Sequence, residues 1–437
     1  MNRQILNLAI PNIISNITIP LLGMVDLAIL GHLESAKYIG AIALGGLIFN
    51  FIYAVFSFLR MGTSGFTSQA YGEKDKTEMI LMFGRSMFFA LIGGVLIIIL
   101  QYPIDLLSFN LLSGSDEVES LAKEYYYIRI YAAPASLGIM ALSGWFIGMQ
   151  NAKIPMVIAI LINIINIGAN LLFVYGFGMK SDGVAWGTLI AQYVGLFTGI
   201  FLFLRYYKSY FTYWNKQLFF NLAKLKRFFK VNLDIIIRTL SLIFVFAFFT
   251  AESAKINDTI LAVNTVLLQY LLVFSYLTDG FAHAAEALVG KYIGAKDNLN
   301  LKKVIRYLFF WGLAISLLFT LTYVFGGDYL LLILTNNPDV IAAASPYIFW
   351  IGIVPIVTFA AFIWDGIYIG ATASKPMRNA LLISTFIVFL PSYYLLVKPM
   401  GNNGLWLAIM LFMISRGLIL TILAKKNIFN LTLNPEH

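Results

Sequence analysis

One carboxylate stands alone in a long apolar run. Leu21-Leu22-Gly23-Met24-Val25-Asp26-Leu27-Ala28-Ile29-Leu30 places Asp26 with no cation near it in sequence. An ionisable group inside a bilayer costs about 2.5–3.5 kcal/mol on insertion scales, so it is a functional candidate by default. Apolar surroundings disfavour the charged form of a carboxyl group, which lets Asp26 act as a site that loads and releases a proton. Pro11 and Pro20 precede it. Each proline removes a helix hydrogen bond and permits a kink, so a bend of this segment linked to protonation is feasible. The plainer alternative is a buried Asp that hydrogen-bonds for helix packing.

Asn166 and Asn170 are four residues apart and share one helix face. At 1.5 Å per residue, Asp26 sits about 30 Å along a helix that begins near residue 6. The two amides sit roughly 16 and 22 Å along one that begins near Pro155. These depths overlap, so the amides are candidate partners of Asp26; polar amides also serve simply to tie membrane helices together. A second cluster lies in the other half of the chain. Asp279, His283 and Glu286 are spaced four and three, which puts them on one helix face, and Asp365 falls at a similar depth two spans later. They form either a second protonation site or gate, or anchors for helix ends through Lys291, Lys375 or Arg378.

The elements that must position these groups are membrane helices. Hydrophobic residues make up 60% of the 437 and charged residues 12%, against roughly 25% charged in a soluble domain. A bilayer core needs about 20 apolar residues per helix. Runs of that kind occur at 5–31, 39–70, 79–104, 122–149, 155–178, 184–206, 229–254, 259–292, 303–325, 342–370, 378–397 and 402–424. The first is too long for a signal-peptide core and has no small-residue cleavage site, so it reads as a retained first span. The fold class is therefore an all-α integral membrane protein of twelve transmembrane helices.

Orientation follows from the basic residues. Arg205, Lys208, Lys216, Lys224, Lys226, Arg227 and Lys230 crowd the stretch between spans six and seven, and Lys425 and Lys426 follow the last. Residues 105–120 hold no Lys or Arg but do hold Asp105, Asp116, Glu117 and Glu119. Both termini are expected in the cytoplasm of a multi-pass inner-membrane protein. The +9 charge is then a topology signal, supported by membrane lipid, and not a nucleic-acid footprint.

An internal repeat organises the chain. Tyr71-Gly72-Glu73-Lys74-Asp75 returns as Ile293-Gly294-Ala295-Lys296-Asp297, at an offset of 222. The segment from Gly148 through Lys153 and Pro155 to Met156 returns from Gly370 through Lys375 and Pro376 to Met377, with one residue deleted. Pro134 pairs with Pro355, and Gly183 with Gly404, both at 221. The expected organisation is two pseudo-symmetric six-helix lobes, 1–206 and 229–437, joined by a basic cytoplasmic linker at 207–228. Paired bundles around a central path suit secondary transporters that alternate access.

Enzyme and pump signatures are missing from the sequence. No Gly-x-x-x-x-Gly-Lys-Ser/Thr phosphate loop is present, and His32, His283 and His437 form no His-Glu-x-x-His zinc motif. Uphill transport must then draw on an ion gradient, with no cofactor beyond the coupling ion. The 37 Phe and 14 Met suit an adaptable apolar cavity, although most must face lipid or pack.

Four signatures resemble one family. Ala9-Ile10-Pro11 with Gly23-Met24-Val25-Asp26-Leu27-Ala28-Ile29-Leu30-Gly31-His32 is similar to helix one of multidrug and toxic compound extrusion (MATE) transporters of the DinF-like branch. The run from Phe58 to Ala70 resembles that branch's helix two, Asp279 to Gly290 its helix eight, and Asp365 to Thr372 its helix ten. The resemblance spans nearly the whole chain. It implies antiport, with drugs or other amphipathic or cationic organic compounds leaving and H⁺ or Na⁺ entering, by rocker-switch motion of two lobes. Asp26 matches the family's coupling carboxylate, and Asn166 the Asn of its helix-five Asn-x-x-x-Asp pattern. The Asp of that pattern is Asn170 here, which removes an anionic ligand and points to H⁺ over Na⁺. A monomer is expected.

Two other readings compete. A lipid-linked precursor flippase of the same superfamily needs cations in its cavity, whereas the interior candidates in this sequence are mostly acidic, with Arg60 and Arg129 as exceptions. A membrane-embedded enzyme is disfavoured by the duplication and the missing motifs.

Overall fold

The computed structural model describes residues 1–31, 35, 37–112, 114–335 and 337–430; His32 and His437 lie outside them. Twelve helices among the described residues are long and apolar enough to cross a membrane. They are α1 (Asn2–Gly31), α2 (Lys37–Glu73), α3 (Lys76–Ile99), α4 (Asp116–Gly148), α5 (Lys153–Gly176), α6 (Ser181–Tyr207), α7 (Leu222–Ile256), α8 (Asp258–Gly294), α9 (Asn298–Leu334), α10 (Pro338–Gly370), α11 (Ser374–Met400) and α12 (Asn402–Phe429). Each coincides with an apolar run in the sequence. The main differences lie at the ends, where helices continue past the apolar segment: α7 begins at Leu222, not 229, and α9 at Asn298, not 303. Hydropathy locates where the bilayer stops, whereas backbone hydrogen bonding carries the helix on into charged residues.

Two segments outside the twelve spans are ordered by local contacts. Residues 101–111 form a separate helix, Gln101–Leu111. The basic stretch between α6 and α7 holds a 3₁₀ turn, Lys208–Tyr213, and a short helix, Lys216–Phe219. Buried Arg85 of α3 fixes this stretch, donating to the carbonyls of Leu218 (2.6 Å) and Phe219 (3.1 Å) while pairing with Glu78 at 2.8 Å. Lys224 reaches the other oxygen of Glu78 at 2.6 Å.

The chain groups into two compact units, residues 14–225 and residues 1–13 with 226–437. In the first, Phe49, Ile52, Tyr125, Tyr126 and Ile130 centre one packed cluster, and Trp145, Phe146, Ile158 and Phe203 another. In the second, Phe249, Phe274, Phe389, Trp406 and Phe412 form the core. Large apolar side chains also cover the outside: Phe197 and Phe201 on α6, and Leu418 and Ile422 on α12, are each more than half exposed. A surface of this kind belongs against acyl chains.

The repeat extends to the backbone. Lys74 and Lys296 both have positive φ, 59° and 53°, and so do Gln150 and Thr372, 64° and 51°; each pair is 222 residues apart. Asp75 caps α3 by accepting from the Glu78 N–H, and Asp297 caps α9 by accepting from that of Asn300, both at 3.0 Å. Gly144 packs on the carbonyl of Arg60 so closely that a Cβ would overlap it, and Gly366 does the same on that of Ala282. Both residues of this contact recur at the 222 offset, one copy in each unit. Pro134 and Pro355 diverge: Pro134 follows a 3₁₀ turn at the start of a helical segment, whereas α10 runs on through Pro355.

Candidate functional site

α1 is one uninterrupted α-helix through Pro11 and Pro20. Its residues 14–31 belong to the unit of residues 14–225, where α5 contacts it at three levels. Asn163 donates to the carbonyl of Thr18 at 3.0 Å, Asn170 to the Asp26 carboxylate at 2.7 Å, and the Tyr175 hydroxyl to the carbonyl of Ile29 at 3.0 Å. The three donors sit on the α5 face that meets α1, which is why the amide spacing was informative.

Behind Asp26 the hydrogen bonds run in series. Asn170 donates also to the Asn166 Oδ1 at 2.9 Å, Asn166 to the Thr188 hydroxyl at 3.0 Å, and Thr188 to the carbonyl of Val184 at 2.9 Å. Asn166 and Asn170 are fully buried. Asp26 itself is half-buried, so it forms the open end of a buried amide chain. The structure thus brings all three predicted residues together and adds Thr188 of α6. It adds Gly187 as well, because a Cβ at Gly187 would overlap the Asn170 amide oxygen.

We therefore expect Gly187→Ala to displace the Asn170 amide from Asp26. Efflux should fall on the order of tenfold, as small misplacements at working sites do, with a stability loss of about 1–3 kcal/mol from overpacking. Transport and thermal unfolding measured on one purified sample test this; wild-type efflux would remove Asn170 from the site's working geometry.

Among the described residues, one cation acts on Asp26. Arg129 of α4 donates to the Tyr125 hydroxyl and lies over the Phe49 ring, 4.7 Å from its centroid. Val25 and Ile29, which flank Asp26, pack in the same cluster as those two rings, and the guanidinium acts on Asp26 through space.

The second cluster differs from expectation. Asp365 of α10 pairs not with Lys291, Lys375 or Arg378 but with two arginines at once, Arg238 of α7 and Arg416 of α12. All three are buried, at 5%, 7% and 1% exposure. Arg378 instead pairs with Asp234 at 2.6 Å, and Ser374 donates to the same carboxylate at 2.8 Å. On α8, Glu286 is buried, while Asp279 is half-buried and accepts from Ser275 at 3.3 Å. Asp279 also acts on Arg416 through space. The expectation of a mostly acidic interior is corrected by Arg85, Arg238 and Arg416, all buried. Each has a carboxylate partner, so none stands open for a pyrophosphate.

The family model MatE matches this chain twice, over residues 11–172 and 235–395. The chain belongs to that family. It is 35% identical to the DNA damage-inducible protein F of Escherichia coli K12, over 98% of this chain and 92% of the relative. It is 25% identical to a probable multidrug resistance protein NorM of Thermotoga maritima, over 95% and 90%. Among solved structures, a MATE transporter in its bent conformation superposes with a TM-score of 0.87 at 20% identity, covering 99% of this chain and 96% of the other. A MOP superfamily transporter from Pyrococcus furiosus superposes at 0.88 with 19% identity, over 98% and 96%. The fold is that of MATE and MOP-superfamily transporters, and the chain is a multi-pass multidrug and toxic compound extrusion transporter of the DinF kind.

Proposed function

We propose that this MATE transporter is a proton-coupled antiporter of the bacterial inner membrane, acting as a monomer with both termini in the cytoplasm. It exports amphipathic or cationic organic compounds, as the relative named as a multidrug resistance protein suggests. The observation that carries the reading is the Asp26 site itself. A single carboxylate accepts a hydrogen bond from Asn170 at the head of a neutral amide chain. Asn170 stands where the family pattern has a second acid, so the site offers one anionic oxygen pair and two amides. That set suits a proton better than an alkali cation, which favours several oxygen ligands.

Proton and cationic substrate then compete for one charge. Protonation of Asp26 removes the attraction for the substrate and leaves Arg129 uncompensated beside it, so uptake of H⁺ from outside favours release there. The reverse linkage follows with equal magnitude: bound substrate lowers proton affinity. In the other half, Asp365 serves as a clamp between two arginines, and the α8 face with Asp279, His283 and Glu286 is the candidate gate.

Purified protein in liposomes with separately imposed gradients tests the coupling ion. A pH gradient alone should drive dye efflux, and a Na⁺ gradient alone should drive none. Efflux driven by Na⁺ at constant pH would overturn proton coupling.

A further inference from the structure

A cavity of 690 Å³ in the unit that contains residues 226–437 is lined by Asn2, Lys302, Lys303, Arg306, Tyr307 and Phe310. The three cations point outward from the first turns of α9, and none has an ion-pair partner among the described residues. Asp297, the acid nearest in sequence, is committed to capping α9, where it accepts from both the backbone and the side chain of Asn300. The mouth of the cavity adds further positive potential. Asn2 opens α1, whose first turn holds no acid, and the free N–H groups of a helix start carry partial positive charge. Trp311 holds Asn2 in place through its indole N–H at 3.3 Å.

The same face of α9 changes character along its length. Lys302 and Arg306 are followed at helical spacing by Phe310, Leu313 and Leu317, all exposed and apolar. A ligand that fits both parts has an anionic head and a hydrocarbon tail lying along the helix. Neither the amide chain at Asp26 nor the arginine clamp at Asp365 shares a residue with this surface.

We propose that this cavity binds the headgroup of an anionic bilayer phospholipid, with its acyl chains along Phe310, Leu313 and Leu317. The phosphodiester sits among Lys302, Lys303 and Arg306, and the lipid fastens the first turn of α1 to α9. The site lies on the side marked by the basic loops, where anionic headgroups attract cations near the surface.

The test is lipid retention by the full-length protein, measured by native mass spectrometry after titration with phosphatidylglycerol or phosphatidylcholine. Wild type should retain phosphatidylglycerol at least tenfold more tightly than phosphatidylcholine. Each neutralised cation should weaken it roughly fivefold, so Lys302→Gln with Lys303→Gln and Arg306→Gln should abolish the preference. Lys425→Gln with Lys426→Gln, a basic pair outside the cavity, should leave the preference intact. Inorganic phosphate at millimolar concentration should not displace the lipid; displacement would make this a free-phosphate site and overturn the proposal. Equal retention of both lipids by wild type, or an unchanged preference in the triple variant, would overturn it too. An unchanged unfolding temperature of the triple variant in zwitterionic detergent establishes that loss of preference is not loss of fold. None of these readouts depends on which ion drives transport.

Discussion

Asp26→Asn is expected to fold and insert, to bind cationic dyes more weakly, and to reduce pH-driven efflux to the leak rate of protein-free vesicles. The substitution keeps an acceptor oxygen in place, so Asn170 can still donate to residue 26 and Asn166 and Thr188 keep their order behind it. What disappears is the charge that a proton cancels. Without it, both sides of the membrane present the same neutral group, and a ligand bound equally in two states shifts nothing between them. Everted membrane vesicles with an imposed pH gradient supply the measurement, with protein amount and thermal unfolding taken on the same preparation. Efflux at the wild-type rate would take Asp26 out of the coupling step. A variant that fails to accumulate would reveal a packing role instead, because one hydrogen bond with near-identical geometry should not decide folding.

Asp26 was legible because its neighbours are all apolar, so a single residue type breaks the pattern. The amides on α5 were legible through their spacing of four, which needs only helical periodicity. The duplication was visible because turns carry short motifs that survive divergence: Lys74 and Lys296 occupy the same strained backbone position, φ 59° and 53°. The walls of the site were harder to read. Thr188 and Gly187 look like ordinary small residues of a membrane helix. Their part follows only from the approach of α6 to α5, where the Asn170 amide takes the space a side chain would need.

Arg238 and Arg416 were missed for a different reason. Each lies in a predominantly apolar segment, Ile235-Ile236-Ile237-Arg238 and Met413-Ile414-Ser415-Arg416, so the cost of an ionisable group inside a bilayer marks them as it marks Asp26, although Arg238 has Asp234 four residues before it. Attention to acids alone left the cluster with cations at helix ends, Lys291, Lys375 and Arg378, as its expected anchors. In a helical bundle the partner of a buried charge is set by which side chains meet, and Arg238 of α7 and Arg416 of α12 reach Asp365 from 127 and 51 residues away along the chain.

That clamp makes the second large prediction. Asp365→Ala should destabilise the protein by about 3–5 kcal/mol, because it strands two buried guanidiniums without a counter-charge. Replacing all three members by apolar residues, Arg238→Met with Asp365→Leu and Arg416→Met, should be milder, since no member of the clamp is then left charged without its partner. Thermal unfolding in one detergent orders the two variants against wild type. An ordinary coupling carboxylate would behave in the opposite way: its loss would spare the fold and stop transport, as expected at Asp26. If Asp365→Ala unfolds at the wild-type temperature while efflux is lost, Asp365 is a working acid and not a clamp. The two carboxylates are distinguished by their hydrogen-bond partners: Asp26 accepts from the neutral amide of Asn170, whereas Asp365 lies between two guanidiniums whose burial depends on its charge.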